Sequence, residues 1–145
     1  MPRLLKFFRS PASTRRLLFA CWVRLLWTSA RLRLISPAEG QKLLSADLPS
    51  RARKSVDRDH NYSAEQICSA IATAARYVPK ATCLVQALVA REMLTASGRQ
   101  VQVRIGVANG ADAGFEAHAW VEGEGKILIG GDVDRYTPLP HVTSR

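Results

Sequence analysis

A chain of 145 residues is the size of one domain, and 47% hydrophobic with 23% charged residues is globular composition, which excludes a disordered or fibrous protein. The net charge of +9 is unevenly spread: Met1–Pro37 holds eight basic residues and no acidic one, whereas the remainder carries 13 basic and 12 acidic. Three widely spaced cysteines do not make a disulfide framework and fit a reducing cytoplasm, and no short Cys/His ligand pair marks structural zinc.

The basic first segment predicts a helix over roughly Ser13 to Leu34. Arg16, Arg24 and Arg31 recur at helical spacing on one side, with Leu18, Trp22, Leu25 and Leu32 on the other. Arg24 interrupts the apolar run Leu17–Trp27, which is therefore too short to span a bilayer and unlike a signal peptide. Three roles remain open for this arm: packing on its own domain, docking to a partner protein, or peripheral contact with a membrane surface. No nucleic acid is expected as a partner, because no recognised binding module accompanies the charge. The chain divides into a basic amphipathic arm (1–36), a connecting segment (37–62) with Pro37, Gly40 and Pro49, and a core (63–145). A short helix is expected around Gln41–Ala46.

From Ser63 the signals sharpen. Ser63 and Gln66 make a capping box, and Ile67, Ile71 and Ala74 recur at helical spacing as far as Tyr77, where Pro79 stops the helix. Thr82 is placed to cap a second helix that begins at Cys83, buries Leu84, Ala87, Leu88 and Met93 or Leu94, and ends at Gly98. Val101, Val103, Ile105 and Val107 alternate as a half-buried strand does. The loop Ala108–Gly114 leads to a second strand over Glu116–Glu122, a tight turn at Gly123 and Gly125, and a third strand over Lys126–Ile129. Two helices followed by antiparallel strands predict an α+β domain, helices packed on one sheet. A core running only from Ser63 to Leu139 is marginal in size, which favours the N-terminal helix as part of the fold.

Cys83 at a helix start faces unpaired backbone N–H groups and the positive end of the helix dipole. Both favour a thiolate and an oxyanion formed when it attacks a carbonyl. Cys21 and Cys68 lie inside predicted helices and read as structural. His118 sits mid-strand between Ala117 and Ala119, on the same face as Trp120, where small neighbours leave room around the imidazole. His60 and His141 fall in predicted loops and look incidental. A turn centred near Glu124–Gly125 pairs residues whose numbers sum to about 249, bringing Asp132 within one position of the point facing His118. A carboxylate there would hold the imidazole Nδ1–H; Asp134 is the rival, whereas Glu122 lies about 13 Å along the strand. Gly130-Gly131 would permit a bulge that re-aims Asp132. A zinc site drawn from Cys68, Cys83 and His118 is disfavoured by their spacing.

Cysteine at a helix start, histidine on a strand and aspartate on the next strand is the logic of transglutaminase-like and papain-like thiol enzymes. Cys83-Leu-Val-Gln-Ala-Leu, Val103-Arg-Ile-Gly-Val, Phe115-Glu-Ala-His-Ala-Trp-Val-Glu and Gly130-Gly-Asp-Val-Asp-Arg-Tyr-Thr-Pro-Leu139 resemble the stand-alone leader peptidases of lasso peptide biosynthesis. The resemblance covers about Ala64 to Leu139, and His-Ala-Trp-Val-Glu is its most specific part. It implies a transglutaminase-like (papain-like) core and a Cys83–His118–Asp132 triad needing no cofactor. The implied substrate is a precursor peptide cut between leader and core. The implied partners are a separate leader-recognition protein and an ATP-dependent macrocyclase. The residues themselves leave two alternatives open: an amide hydrolase or acyltransferase acting on another substrate, and a binding module that kept the fold without the chemistry.

Overall fold

The computed structural model describes residues 11–34, 62–110 and 114–140. The expected helix around Gln41–Ala46 and nearly all of the connecting segment lie outside these. Among the described residues three helices precede four strands: α1 (Ala12–Leu34), α2 (Ala64–Ala75), α3 (Cys83–Ala96), β1 (Val101–Asn109), β2 (Phe115–Gly123), β3 (Lys126–Ile129) and β4 (Thr137–Pro138). The strands form one antiparallel sheet in the order β3-β2-β1-β4, and the helices pack on it and on each other, an α+β fold.

Local chemistry sets the boundaries. The Ser63 side chain accepts from the Gln66 amide at 3.1 Å while the Gln66 side chain accepts from the Ser63 amide at 2.9 Å, so the expected capping box starts α2. That helix ends at Ala75, two residues short of the expected Tyr77, and a turn through Pro79 and Lys80 leads to α3. Buried residues of α3 include Val85, Ala87, Val89, Ala90, Met93 and Leu94, while Leu84 and Leu88 are only half-buried. The expected single face was too narrow, because α3 is covered by α1 and α2 as well as by the sheet. Glu124 and Gly125 both take positive φ (53° and 72°), as the two-residue β2–β3 hairpin turn requires. The expected register holds at Gly123↔Lys126 and Glu122↔Ile127, then shifts by one, so that Val121 faces Ile129. The bulge therefore lies inside the hairpin, ahead of the Gly130-Gly131 position expected for it.

Helix α1 is part of the core. Leu17, Cys21, Leu25 and Ser29 are buried, and α1 packs chiefly on α2 and α3. The Tyr62 hydroxyl donates to the Ser13 carbonyl at 2.8 Å and Arg24 meets Glu92 of α3 at 3.4 Å. The buried face is rotated from the expected Leu18/Trp22/Leu25/Leu32 stripe: Leu18 and Leu32 lie at its margin, and Trp22 points outward. Among the described residues no helix is long and apolar enough to cross a membrane.

Candidate active site

A cleft of about 550 Å³ opens between α2, the start of α3 and the β2–β3 hairpin. Cys83 and His118 both border it, with Glu65, Cys68 and Ser69 from α2, Gln86 from α3 and Gly130-Gly131 beyond β3. Cys83 is the first residue of α3 and only half-buried. Thr82 caps the helix, its hydroxyl accepting from the Val85 amide at 3.4 Å and its carbonyl from the Gln86 amide at 3.0 Å. The amides of Cys83 and Leu84 thus precede the first bonded turn and point out of the helix end beside the thiol. Gln86 donates to the Ala81 carbonyl at 3.0 Å, tying the loop before Cys83 to the helix after it. The other two thiols are buried. Burial pushes Cys21 up to about 12, with Arg24 opposing, and burial raises Cys68 as well.

His118 is fixed from several directions. Its Nε2 lies 2.6 Å from the Gly130 carbonyl oxygen, its ring stacks on Tyr136 (centroids 4.9 Å apart), and Trp120 lies beside it at 6.3 Å. A carbonyl oxygen only accepts, so Nε2 donates here, and in the neutral imidazole the lone pair is then on Nδ1. The expectation that a carboxylate would hold Nδ1–H is thereby corrected: the nitrogen held is Nε2, and its partner in this conformation is a backbone oxygen. Asp132 lies in the same turn. Its carboxylate accepts from the Asp134 amide at 3.1 Å, and among the described residues no hydrogen bond joins it to His118. The geometry thus brings Cys83 and His118 to one cleft and Asp132 to the loop that orients His118.

Glu122 is engaged elsewhere, as its distance along the strand implies: it accepts from Trp120 Nε1 at 2.8 Å and from Arg104 at 3.1 Å. The carbonyl of Gly130 and the ring of Tyr136 were not assigned roles from sequence. A backbone oxygen leaves no residue-type signal, and the aromatic ring after the Gly-Gly-Asp turn was the only clue to the second. Cys68, Cys83 and His118 border the cleft together, but among the described residues no group of three or more His, Cys, Asp or Glu side chains is placed to hold a metal ion.

Helices packed against an antiparallel sheet thus bring a helix-start thiol and a strand-borne histidine to one cleft. A profile described as the transglutaminase-like superfamily matches residues 22–141, most of the chain, and the chain belongs to that superfamily. Its fold is usually that of cysteine proteases and acyltransferases. No curated protein and no solved structure matches the chain.

Proposed function

We propose that this chain is a cysteine endopeptidase that removes the leader from a ribosomally made lasso peptide precursor. It would act in the reducing cytoplasm, with a separate leader-recognition protein delivering the substrate and an ATP-dependent macrocyclase closing the ring. The observation that carries the reading is the shared cleft of Cys83 and His118, with Nε2 of His118 engaged by the Gly130 carbonyl so that Nδ1 carries the lone pair of the neutral ring. The resemblance of the Phe115–Glu122 and Gly130–Leu139 segments to leader peptidases supplies the substrate.

His118 Nδ1 takes the thiol proton, and the Cys83 thiolate adds to the scissile carbonyl carbon. The oxyanion is met by the amides at the start of α3. The tetrahedral species collapses by expelling the amine of the core peptide, which takes its proton from the His118 imidazolium. Water, deprotonated by His118, then hydrolyses the thioester and frees the leader carboxylate and the thiol. Asp132 is proposed as the third member, its negative charge favouring the imidazolium that forms at each step.

Cleavage of precursor, followed by mass spectrometry with the recognition protein present, tests this. Cys83→Ala is expected to abolish product, and His118→Ala to lower the rate by at least about 10³-fold, since members of such a unit fail together. A thiol alkylator is expected to label Cys83 ahead of the two buried cysteines, whose thiols are held protonated. Cleavage by Cys83→Ala would sink the assignment. Selective labelling of Cys83 without precursor cleavage would move the chain to an amide hydrolase or acyltransferase on another substrate.

A further inference from the structure

The face of α1 turned away from the core is apolar as well. Phe19 is 65% exposed, Trp27 70% and Leu34 87%, with Trp22 and Val23 beside them. These positions recur at helical spacing on the side opposite Leu17, Cys21 and Leu25, and the Phe19 and Trp22 rings stack on each other at 6.2 Å. Arg15 and Arg16 flank this ridge at one end and Arg31 and Arg33 at the other, all exposed, and α1 holds no acidic residue. Met1–Ser10 continues the same chemistry in sequence, with Leu4, Leu5, Phe7 and Phe8 among Arg3, Lys6 and Arg9.

We propose that the outer face of α1 docks in the plane of an anionic phospholipid bilayer. Three features select this occupant. Charge complementarity points to an anionic surface, because α1 presents Arg15, Arg16, Arg31 and Arg33 to solvent and holds no acidic residue. The residue types are those of an in-plane helix: indole and phenyl rings settle at the headgroup boundary while arginine stems lie along the apolar zone with their charges in the headgroups. The shape is a ridge on a single helix backed by α2 and α3, suited to partial immersion rather than to gripping a partner's side chains. No residue of α1 borders the cleft holding Cys83 and His118, so docking leaves it open.

Vesicle flotation with the full chain tests this without reference to its activity. Binding to vesicles of phosphatidylcholine with phosphatidylglycerol is expected to be at least about tenfold tighter than to phosphatidylcholine alone, and to weaken as salt rises. Phe19→Ala with Trp27→Ala removes exposed rings, leaves the core untouched, and is expected to cut binding about tenfold; Arg15→Gln, Arg16→Gln, Arg31→Gln and Arg33→Gln together are expected to do the same. Circular dichroism of each variant confirms that its helices are intact. Equal binding to both vesicle types, no binding to the anionic ones, or unchanged binding by both variants would overturn the proposal. So would self-association in solution abolished by the ring substitutions, which would give the ridge to a second copy of the chain.

Discussion

The 2.6 Å contact from His118 Nε2 to the Gly130 carbonyl makes a backbone oxygen the hydrogen-bond partner that aims the proposed base, between the rings of Trp120 and Tyr136. Gly130 itself is held in place by conformation: its φ is +131°, and a Cβ there would run into the Trp120 side chain. Asp132 steadies the next step of the same turn through the Asp134 amide, so two roles for its carboxylate, turn former and counter-charge, need separating. Asp132→Asn separates them, because asparagine keeps an oxygen acceptor for the turn and loses only the charge. The expected outcome is a fall in precursor cleavage on the order of 10²–10⁴ with an unchanged melting temperature. Near-normal turnover would leave Asp132 a turn former alone, with the Gly130 carbonyl and the flanking rings of Trp120 and Tyr136 holding the imidazole. Cys83, His118 and the turn bearing Asp132 were legible because helix starts, strand alternation and hairpin arithmetic are properties of residue order. Which imidazole nitrogen is held was not, because that depends on the path of the main chain after β3.

At the scale of elements, the β1–β2 pairing sets the aromatic seat around the imidazole. Gly106 faces His118 across the two strands, and a Cβ on it would meet the Trp120 ring at 2.7 Å and Tyr136 at 2.9 Å. The missing side chain is what lets the buried Trp120 and the turn-borne Tyr136 close over β1 next to His118. Gly106→Ala is therefore expected to cost about 1–3 kcal/mol of stability, as overpacking does, and to lower activity by shifting the rings that flank the base. Urea unfolding and cleavage rates measured together check this. Unaltered stability would mean that the rings have room to retreat. β1, β2, β3 and the turn at Glu124–Gly125 were readable from alternation and glycine placement, whereas the two-residue β4 that pairs with β1 was not, since Thr137-Pro138 has no alternation to show. The register shift between Val121 and Glu122 was not, since neither residue type announces a bulge.

On the scale of the whole molecule, α1 closes the core that α2, α3 and the sheet leave open, as the small size of residues 63–139 alone suggests. The face it uses was misread because α1 is apolar on two sides, so the pattern has little contrast; small Cys21 and Ser29 mark the side that approaches α2 and α3 closely. Burying a cysteine at that junction makes stability depend on alkaline pH. Cys21 is fully enclosed, its sulfur 3.7 Å from Met93, and burial raises its titration from 9.0 to about 12. A thiol whose folded value lies above its unfolded one contributes stability that is whole below the unfolded value. That contribution drains away as pH rises from 9.0 towards about 12, because only the unfolded chain then releases the proton. The loss from this one thiol is up to about 1.4 kcal/mol per pH unit within that window. Burial moves Cys68 in the same direction and adds to the slope. Cys21→Ala is expected to be less stable at neutral pH, for want of the sulfur's contacts, yet to lose less stability than the parent on going from pH 8 to about pH 10.5. Unfolding free energies of both proteins at the two pH values give the difference directly, with the titration of lysines and tyrosines cancelling between them. Parallel pH dependences would show that water reaches Cys21 and that α1 does not seal the core at neutral pH.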